Sequence, residues 1–377
     1  MTHATALQIL LLLAFALTLI GCAAPQDADP SEWTQFRGGP THTGVQGFAH
    51  PIDQPTSVWT FDTGGIVEST PTVVGDTVYV GTFANNLFAL DARTGEERWR
   101  FPVGGLLRAS PSVWNGLVYF GADDDRFYAV DAETGEQRWS FALGPGGEQS
   151  SPAIVDGRVV FGAFDHNVYA LDALTGEEYW RYETGGGMLS SPAVADGIVL
   201  IGSIDQKLHA IDLATGEARW TYETDAITFS SPAVIDNLVI IGSDDHAVHA
   251  VRLSDGAFVW KTTFGERVFS SPAIMDGIAY VGSYDGDLYA LRVTDGMIVW
   301  SADLGGPVLG SPAVTNDTIY VGSSDGHLYA LHRSDGSVHW RHEVGDRVWS
   351  SPTIRGDWIW FGSHTGSVEA LRDGSSQ

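Results

Sequence analysis

Ala89-Leu90-Asp91-Ala92-Arg93-Thr94-Gly95-Glu96-Glu97-Arg98-Trp99 returns almost verbatim at 129–139, 170–180 and 210–220, and in altered form at 250–260, 290–300 and 330–340. Tryptophan accordingly stands at Trp59, Trp99, Trp139, Trp180, Trp220, Trp260, Trp300 and Trp340, spaced 40 residues apart in every interval but one of 41. A period of this length marks a repeat architecture. The residues between successive tryptophans are Val, Ile, Tyr and Phe broken by turn residues, so the repeated unit is built of strands.

The columns of the repeat give its strands in order. A Ser/Thr-Pro pair recurs with its proline at Pro71, Pro111, Pro152, Pro192, Pro232, Pro272, Pro312 and Pro352, followed by Thr, Ser or Ala and then by Val or Ile. Proline is tolerated at the start of a strand, and a small side chain suits strands crowded at a central axis, so this is the innermost strand. Pairs such as Asn115-Gly116 and Asp156-Gly157 then favour the positive φ of a tight hairpin. A second strand ends in glycine in all eight repeats (Gly81 to Gly362), and Asp follows three residues later in six. A third strand carries alanine, and a Thr-Gly or Asp-Gly turn leads to the tryptophan strand. Four antiparallel strands per 40 residues around an axis make a β-propeller blade.

The count predicts an all-β, eight-bladed propeller. The eighth Ser-Pro unit supplies three strands and no tryptophan strand, whereas the segment around Trp59, about 56–62, precedes the first unit. That N-terminal strand is expected to complete the last blade and close the ring, removing its exposed edges. The tryptophans are expected to pack between blades, each covering on the order of 150–250 Å².

Charge narrows the function. The net charge of −27 disfavours nucleic-acid binding through a basic stripe. Lys207 and Lys261 are the only lysines, and an acidic, lysine-poor surface suits high salt. The single cysteine, Cys22, excludes an intramolecular disulfide. It ends an apolar run over 4–20 as Leu19-Ile20-Gly21-Cys22. This resembles a bacterial lipoprotein signal, although its first residues carry no Lys or Arg. The expected organisation is a signal peptide over 1–21, lipid on Cys22, a flexible tether over 22–32, and a propeller over 33–377 whose first residues are a leader packed on the repeats. The expected location is the periplasmic face of the outer membrane.

The pattern A-x-D-x-x-T-G-x-x-x-W, in four full and three degenerate copies, resembles the tryptophan-docking motif of the quinoprotein, or PQQ-like, propellers. Two branches of that superfamily bear on function. The alcohol and sugar dehydrogenases imply PQQ and calcium on the axis, a vicinal disulfide in the alcohol-oxidising members, and long insertions between blades. One cysteine and uniformly short loops do not meet those demands. The BamB-type lipoproteins imply a non-catalytic scaffold for a β-barrel assembly partner in the outer membrane, and fit the lipobox, the length and the blade count. That scaffold is the expected function, with no catalytic residue, cofactor or metal. A quinoprotein dehydrogenase and an envelope polysaccharide- or ligand-binding propeller are the alternatives.

Acidic and histidine clusters offer little chemistry. Asp123-Asp124-Asp125 and Asp244-Asp245 fall in the hairpin between second and third strands, where Asp caps turn amides. His246/His249 and His339/His342 have no acidic or cysteine partner at zinc-like spacing in sequence. A varying column is more informative. Three residues before each proline the chain reads Glu68, Arg108, Gln149, Leu189, Phe229, Phe269, Leu309 and Trp349, polar in the first three repeats and apolar afterwards. The apolar arc, flanked by Arg267 and Arg347, has the makeup of a protein-binding rim, or else packs down as an axial plug. The residue two after the third-strand alanine also splits: Asp91, Asp131, Asp172 and Asp212, then Arg252, Arg292, His332 and Arg372, as expected if each half uses its own turn chemistry.

Overall fold

The computed structural model describes residues 34–45, 52–147 and 150–374. Eight four-stranded antiparallel sheets form the blades of a propeller, numbered here by their Ser/Thr-Pro units. Blade 1 runs Thr72–Val74, Thr77–Thr82, Asn86–Asp91 and Glu97–Pro102, from inner to outer strand. Blade 8 takes Thr353–Arg355, Trp358–Gly362 and Ser367–Asp373 from the C-terminal end of the chain and its outer strand, Pro55–Asp62, from the other end. The two ends pair antiparallel from Pro55 opposite Asp373 to Asp62 opposite Ser367. The closure expected from Trp59 is therefore present. Signal, lipid and tether, with Cys22, lie outside the described residues, as do Trp33 and Gln149.

The repeated columns are explained by what each touches in the next blade. Each indole N–H donates to a main-chain carbonyl there, as in Trp59 to Ala92 at 3.1 Å and Trp260 to Val293 at 2.7 Å. The glycine of the Thr-Gly turn lies on that ring, where the Cβ of any other residue at position 95 would come within 2.6 Å of Trp59. Trp340 has no such turn ahead of it, because the chain ends supply blade 8, and it donates to the Ile52 carbonyl instead. The glycine ending the second strand is steric too. A Cβ on Gly282 would lie 2.3 Å from Val308 and one on Gly242 2.5 Å from Val268.

The Asp column does more than cap its hairpin. Asp165 accepts the Asn167 amide at 3.1 Å, but its other oxygen accepts the Tyr169 hydroxyl and the Gly144 amide of the preceding blade. It thereby staples two blades. The halves of the ring do use different turn chemistry. Asp91 accepts two turn amides and meets Arg98, whereas Arg252 and Arg292 reach forward to Asp255 and Asp295. His249 contacts Asp245, four residues before it, at 3.0 Å, whereas His339 and His342 contact the sequence-distant Asp53 at 3.1 Å and Glu369 at 3.0 Å. Among the described residues no three metal-ligating groups come together.

The leader fills the lower channel. Carbonyls of Thr34, Pro40, Thr41, Thr43 and Gly44, with the Gln35 side chain, accept the amides of Val113, Val194, Val234, Ile274, Val314 and Ile154. These amides belong to the inner strands of blades 2 to 7, met in chain order. Arg37 is buried and donates to the carbonyls of Pro312 at 2.9 Å and Pro272 at 2.6 Å. Thr72, Ser112 and Thr353 make the corresponding bonds to Pro111, Pro152 and Pro71 themselves. Hydroxyls of the small column therefore satisfy the proline carbonyls of blades 1, 2 and 3, whereas the leader's Arg37 satisfies those of blades 6 and 7.

His42, also buried, hydrogen-bonds the Pro232 backbone; desolvation, with the Arg37 charge adding, pushes its pKa down to about 3. Against an ordinary value of about 6.5, the stabilisation by the neutral ring is complete above pH 6.5 and is lost as pH falls toward 3. Between pH 6.5 and 4.5 the unfolding free energy should drop by up to about 1.4 kcal/mol per pH unit more than in His42→Asn, which tolerates the left-handed backbone here. Urea midpoints at pH steps measure it. Parallel slopes for the two proteins would refute the buried neutral ring.

Candidate functional site

Above the leader the channel opens into a funnel of about 210 Å³ with Phe36 as its floor. Its neck is the residue before each proline. From Thr70 to Ser311 the amide of each donates to the hydroxyl of the next blade, as Ser151 to Ser191 at 3.1 Å and Ser191 to Ser231 at 2.8 Å. The varying column forms the wall above this ring. Leu189, Phe229, Phe269, Leu309 and Trp349 all line the funnel, half-buried, with Glu68 and Arg108 on the opposite side. The side chains line the funnel, yet each keeps exposed surface.

The arc is ordered by contacts among its members. Phe229 and Phe269 stack with ring centres 4.6 Å apart. Arg267 lies over Tyr284 at 4.4 Å and over Phe269 at 5.9 Å, and Arg347 over Trp349 at 5.5 Å. The Trp349 indole donates to Ser324 at 2.9 Å and meets the His364 ring edge-on at 4.4 Å. Such rigid amphipathic side chains present contact area at small entropic cost.

A second column completes the rim. The residue two after the second-strand glycine supplies Phe83, Asp123, Asp244, Tyr284, Ser324 and His364, each beside a rim residue. It varies from blade to blade as the first column does, and that variation was the signal available in the sequence. On the polar side Arg108 lies between Glu68 at 3.7 Å and Asp123 at 3.6 Å, and above Phe83. Burial raises the Asp123 carboxyl above the usual carboxylate range, with Arg108 pulling the other way. Asp244 is likewise raised by burial and opposed by Arg267.

These residues do not fit a calcium–quinone pair. Calcium takes six to eight oxygens, whereas the carboxylates nearest the axis each face an arginine. The funnel is also smaller than the roughly 300–1,000 Å³ of pockets that bury a cofactor-sized ligand.

Comparison with known proteins gives two family matches. Residues 48–277, more than half of the chain, match the family described as the beta-propeller of beta-alanine-activating enzyme, and residues 246–377 match the outer membrane protein assembly factor BamB. A comparison with curated proteins finds no match. Among solved structures, a quinohemoprotein alcohol dehydrogenase from Comamonas testosteroni superposes with a TM-score of 0.80 at 16% identity, over 91% of this chain and 81% of that one. A europium-containing methanol dehydrogenase gives 0.76 at 13%, over 92% and 98%. BamB from Moraxella catarrhalis gives 0.73 at 19%, over 84% and 99%. At such identities the likeness is one of fold, shared by two dehydrogenases and an assembly factor.

Proposed function

The chain belongs to the β-propeller family of beta-alanine-activating enzyme and is a PQQ-like propeller, and from that premise we propose that it is a non-catalytic protein-binding scaffold of the cell envelope. It acts as BamB-type proteins do, in the assembly of outer-membrane β-barrels, anchored by lipid on Cys22 to the periplasmic face of the outer membrane and working without a cofactor. One observation carries the reading. The leader closes the axis from below, so what the funnel offers is a shallow rim of stacked aromatic and arginine side chains. Aromatic and arginine side chains on a well-packed surface supply most of the energy of protein interfaces. The segment that matches the BamB family, 246–377, contains Arg267, Phe269, Leu309, Arg347 and Trp349 of that rim.

Capture from detergent-solubilised envelope, read by mass spectrometry, tests it. The lipidated protein is expected to recover a β-barrel assembly protein, and the Phe229→Ser, Phe269→Ser, Trp349→Ser triple variant to lose at least about tenfold of that capture while keeping its fold. Undiminished capture by a folded triple variant discards the rim. Absorbance titration with PQQ and calcium decides the rival reading: a stoichiometric quinone spectrum would make this an enzyme.

A further inference from the structure

The outer strand of every blade is a sheet edge with unpaired amides and carbonyls, which proteins ordinarily guard with charge. Most of the eight guard it. Blade 1 carries Arg98 and Arg100, blade 3 Arg181, blade 5 Lys261 and blade 7 Arg341. Blade 6, with strands Ala273–Met275, Ile278–Gly282, Asp287–Arg292 and Ile298–Asp303, has no cation on its outer strand. Met297, Ile298 and Val299 there are 56%, 45% and 50% exposed. The outer strand of blade 8 also lacks a cation but exposes only Val58 among its large apolar residues.

Beside this edge lies a cleft of about 410 Å³ between blades 6 and 7, walled by Ile278, Tyr280, Val299, Trp300 and Arg333. Its origin is legible by comparison with blade 1. There the Arg98 guanidinium spans from Thr77 at 2.8 Å to Asp91 at 2.7 Å and covers the start of the second strand. The counterparts in blade 6 are Val299, Ile278 and Arg292, which make no such bridge, and Arg292 turns away to Asp295 at 2.8 Å. The opening is bounded instead by Arg333 reaching Asp276 at 2.8 Å.

The far end of the same edge points to a cation. Asp303 stands directly opposite Asp287 in the sheet, and like charges so placed destabilise a strand pair. Other blades with an acidic residue at this outer position oppose it with Asn167, Lys207, His327 or Ser367. Burial, with the Asp285 and Asp303 charges adding, raises the Asp287 carboxyl above its ordinary range.

We propose that the outer edge of blade 6 receives an extended segment of another polypeptide, with an apolar side chain in the cleft between blades 6 and 7 and a lysine or arginine against Asp287 and Asp303. Main-chain bonding to a sheet edge supplies affinity and side-chain pockets supply specificity in such strand addition. A second copy of this chain is a poorer occupant. At net −27 two copies repel each other. The surface is on the outer wall and does not depend on the funnel.

The probe is a fluorescein-labelled nine-residue peptide of alternating valine and lysine, with alternating valine and glutamate as its control, followed by anisotropy. The lysine peptide is expected to bind, and Val299→Arg and Asp303→Lys each to weaken it by about tenfold or more. Glu183→Lys, at the same position in blade 3, is expected to change binding less than about twofold, because rim charges act locally. Hydrogen exchange should slow in Ile298–Asp303 on binding. Equal weakening by Asp303→Lys and Glu183→Lys, protection elsewhere, or no binding of the lysine peptide would overturn the proposal, the first by showing only general attraction to an acidic surface.

Discussion

Removal of residues 55–62 is expected to lower the melting temperature by more than about 10 °C, because that strand is the only outer strand blade 8 has. The loss has two parts. Trp59, 8% exposed, packs in one cluster with Val73, Val78, Leu90 and Trp360, and truncating such a ring alone costs roughly 3–5 kcal/mol. The deletion further uncovers the whole edge of Ser367–Asp373, whose pairing with the N-terminal strand is the covalently remote seam of the ring. Trp59→Ala should therefore reproduce part of the fall, and the deletion clearly more. Limited proteolysis distinguishes an opened ring from a uniformly weakened one, since new cleavage should begin in 367–374. An unchanged melting temperature in the deletion variant would show that the ring does not depend on its seam.

How far the sequence reached depends on whether a residue's role repeats. The tryptophan and the Ser/Thr-Pro pair recur eight times and the turn glycine on the ring seven, so the period and the closing strand could be read directly. Gly282 was visible as a member of a column, but its reason, a Val308 side chain 2.3 Å from any Cβ, lies in the next blade and has no local signature. The rim was half legible. Phe229, Phe269 and Trp349 stand out by varying within a column tied to the Ser/Thr-Pro pair, whereas Tyr284, Ser324 and His364 vary in a second column whose place on the rim appears only in three dimensions. The leader was least legible. It occurs once, so no other copy exists to compare, and its partners are backbone carbonyls 235 and 275 residues away. The unguarded edge of blade 6 follows from replacements at positions 98 and 91 of the repeat, whose meaning appears only when Arg98 is seen to span them.

Arg37→Ala is expected to destabilise the protein by roughly 3–5 kcal/mol, since bonds to a charged donor contribute about 1.5–3 kcal/mol each and two buried carbonyls are left without one. The side chain is 2% exposed, and desolvation lowers its pKa, yet a guanidinium stays charged at neutral pH. Its charge is tolerated in the channel because the fork is spent on the Pro272 and Pro312 carbonyls, with the His42 carbonyl at 3.5 Å from Nε. The planar fork is what matters, so Arg37→Lys should recover less than half of the loss: a compact ammonium does not reproduce two diverging bonds. A general packing defect would lower the urea midpoint as well, so a local readout is needed. Loosening the leader should speed hydrogen exchange at Ile274 and Val314, whose amides it holds, well before that of Val281 and Val321 in the second strands of the same blades. Unchanged exchange at Ile274 and Val314 in Arg37→Ala would mean that the main-chain bonds of Thr43 and Gly44 hold the leader unaided. Faster exchange there, with capture by the rim also weakened, would tie the floor of the funnel to its mouth. The single arginine the repeat pattern never announced would then set the shape of the binding surface.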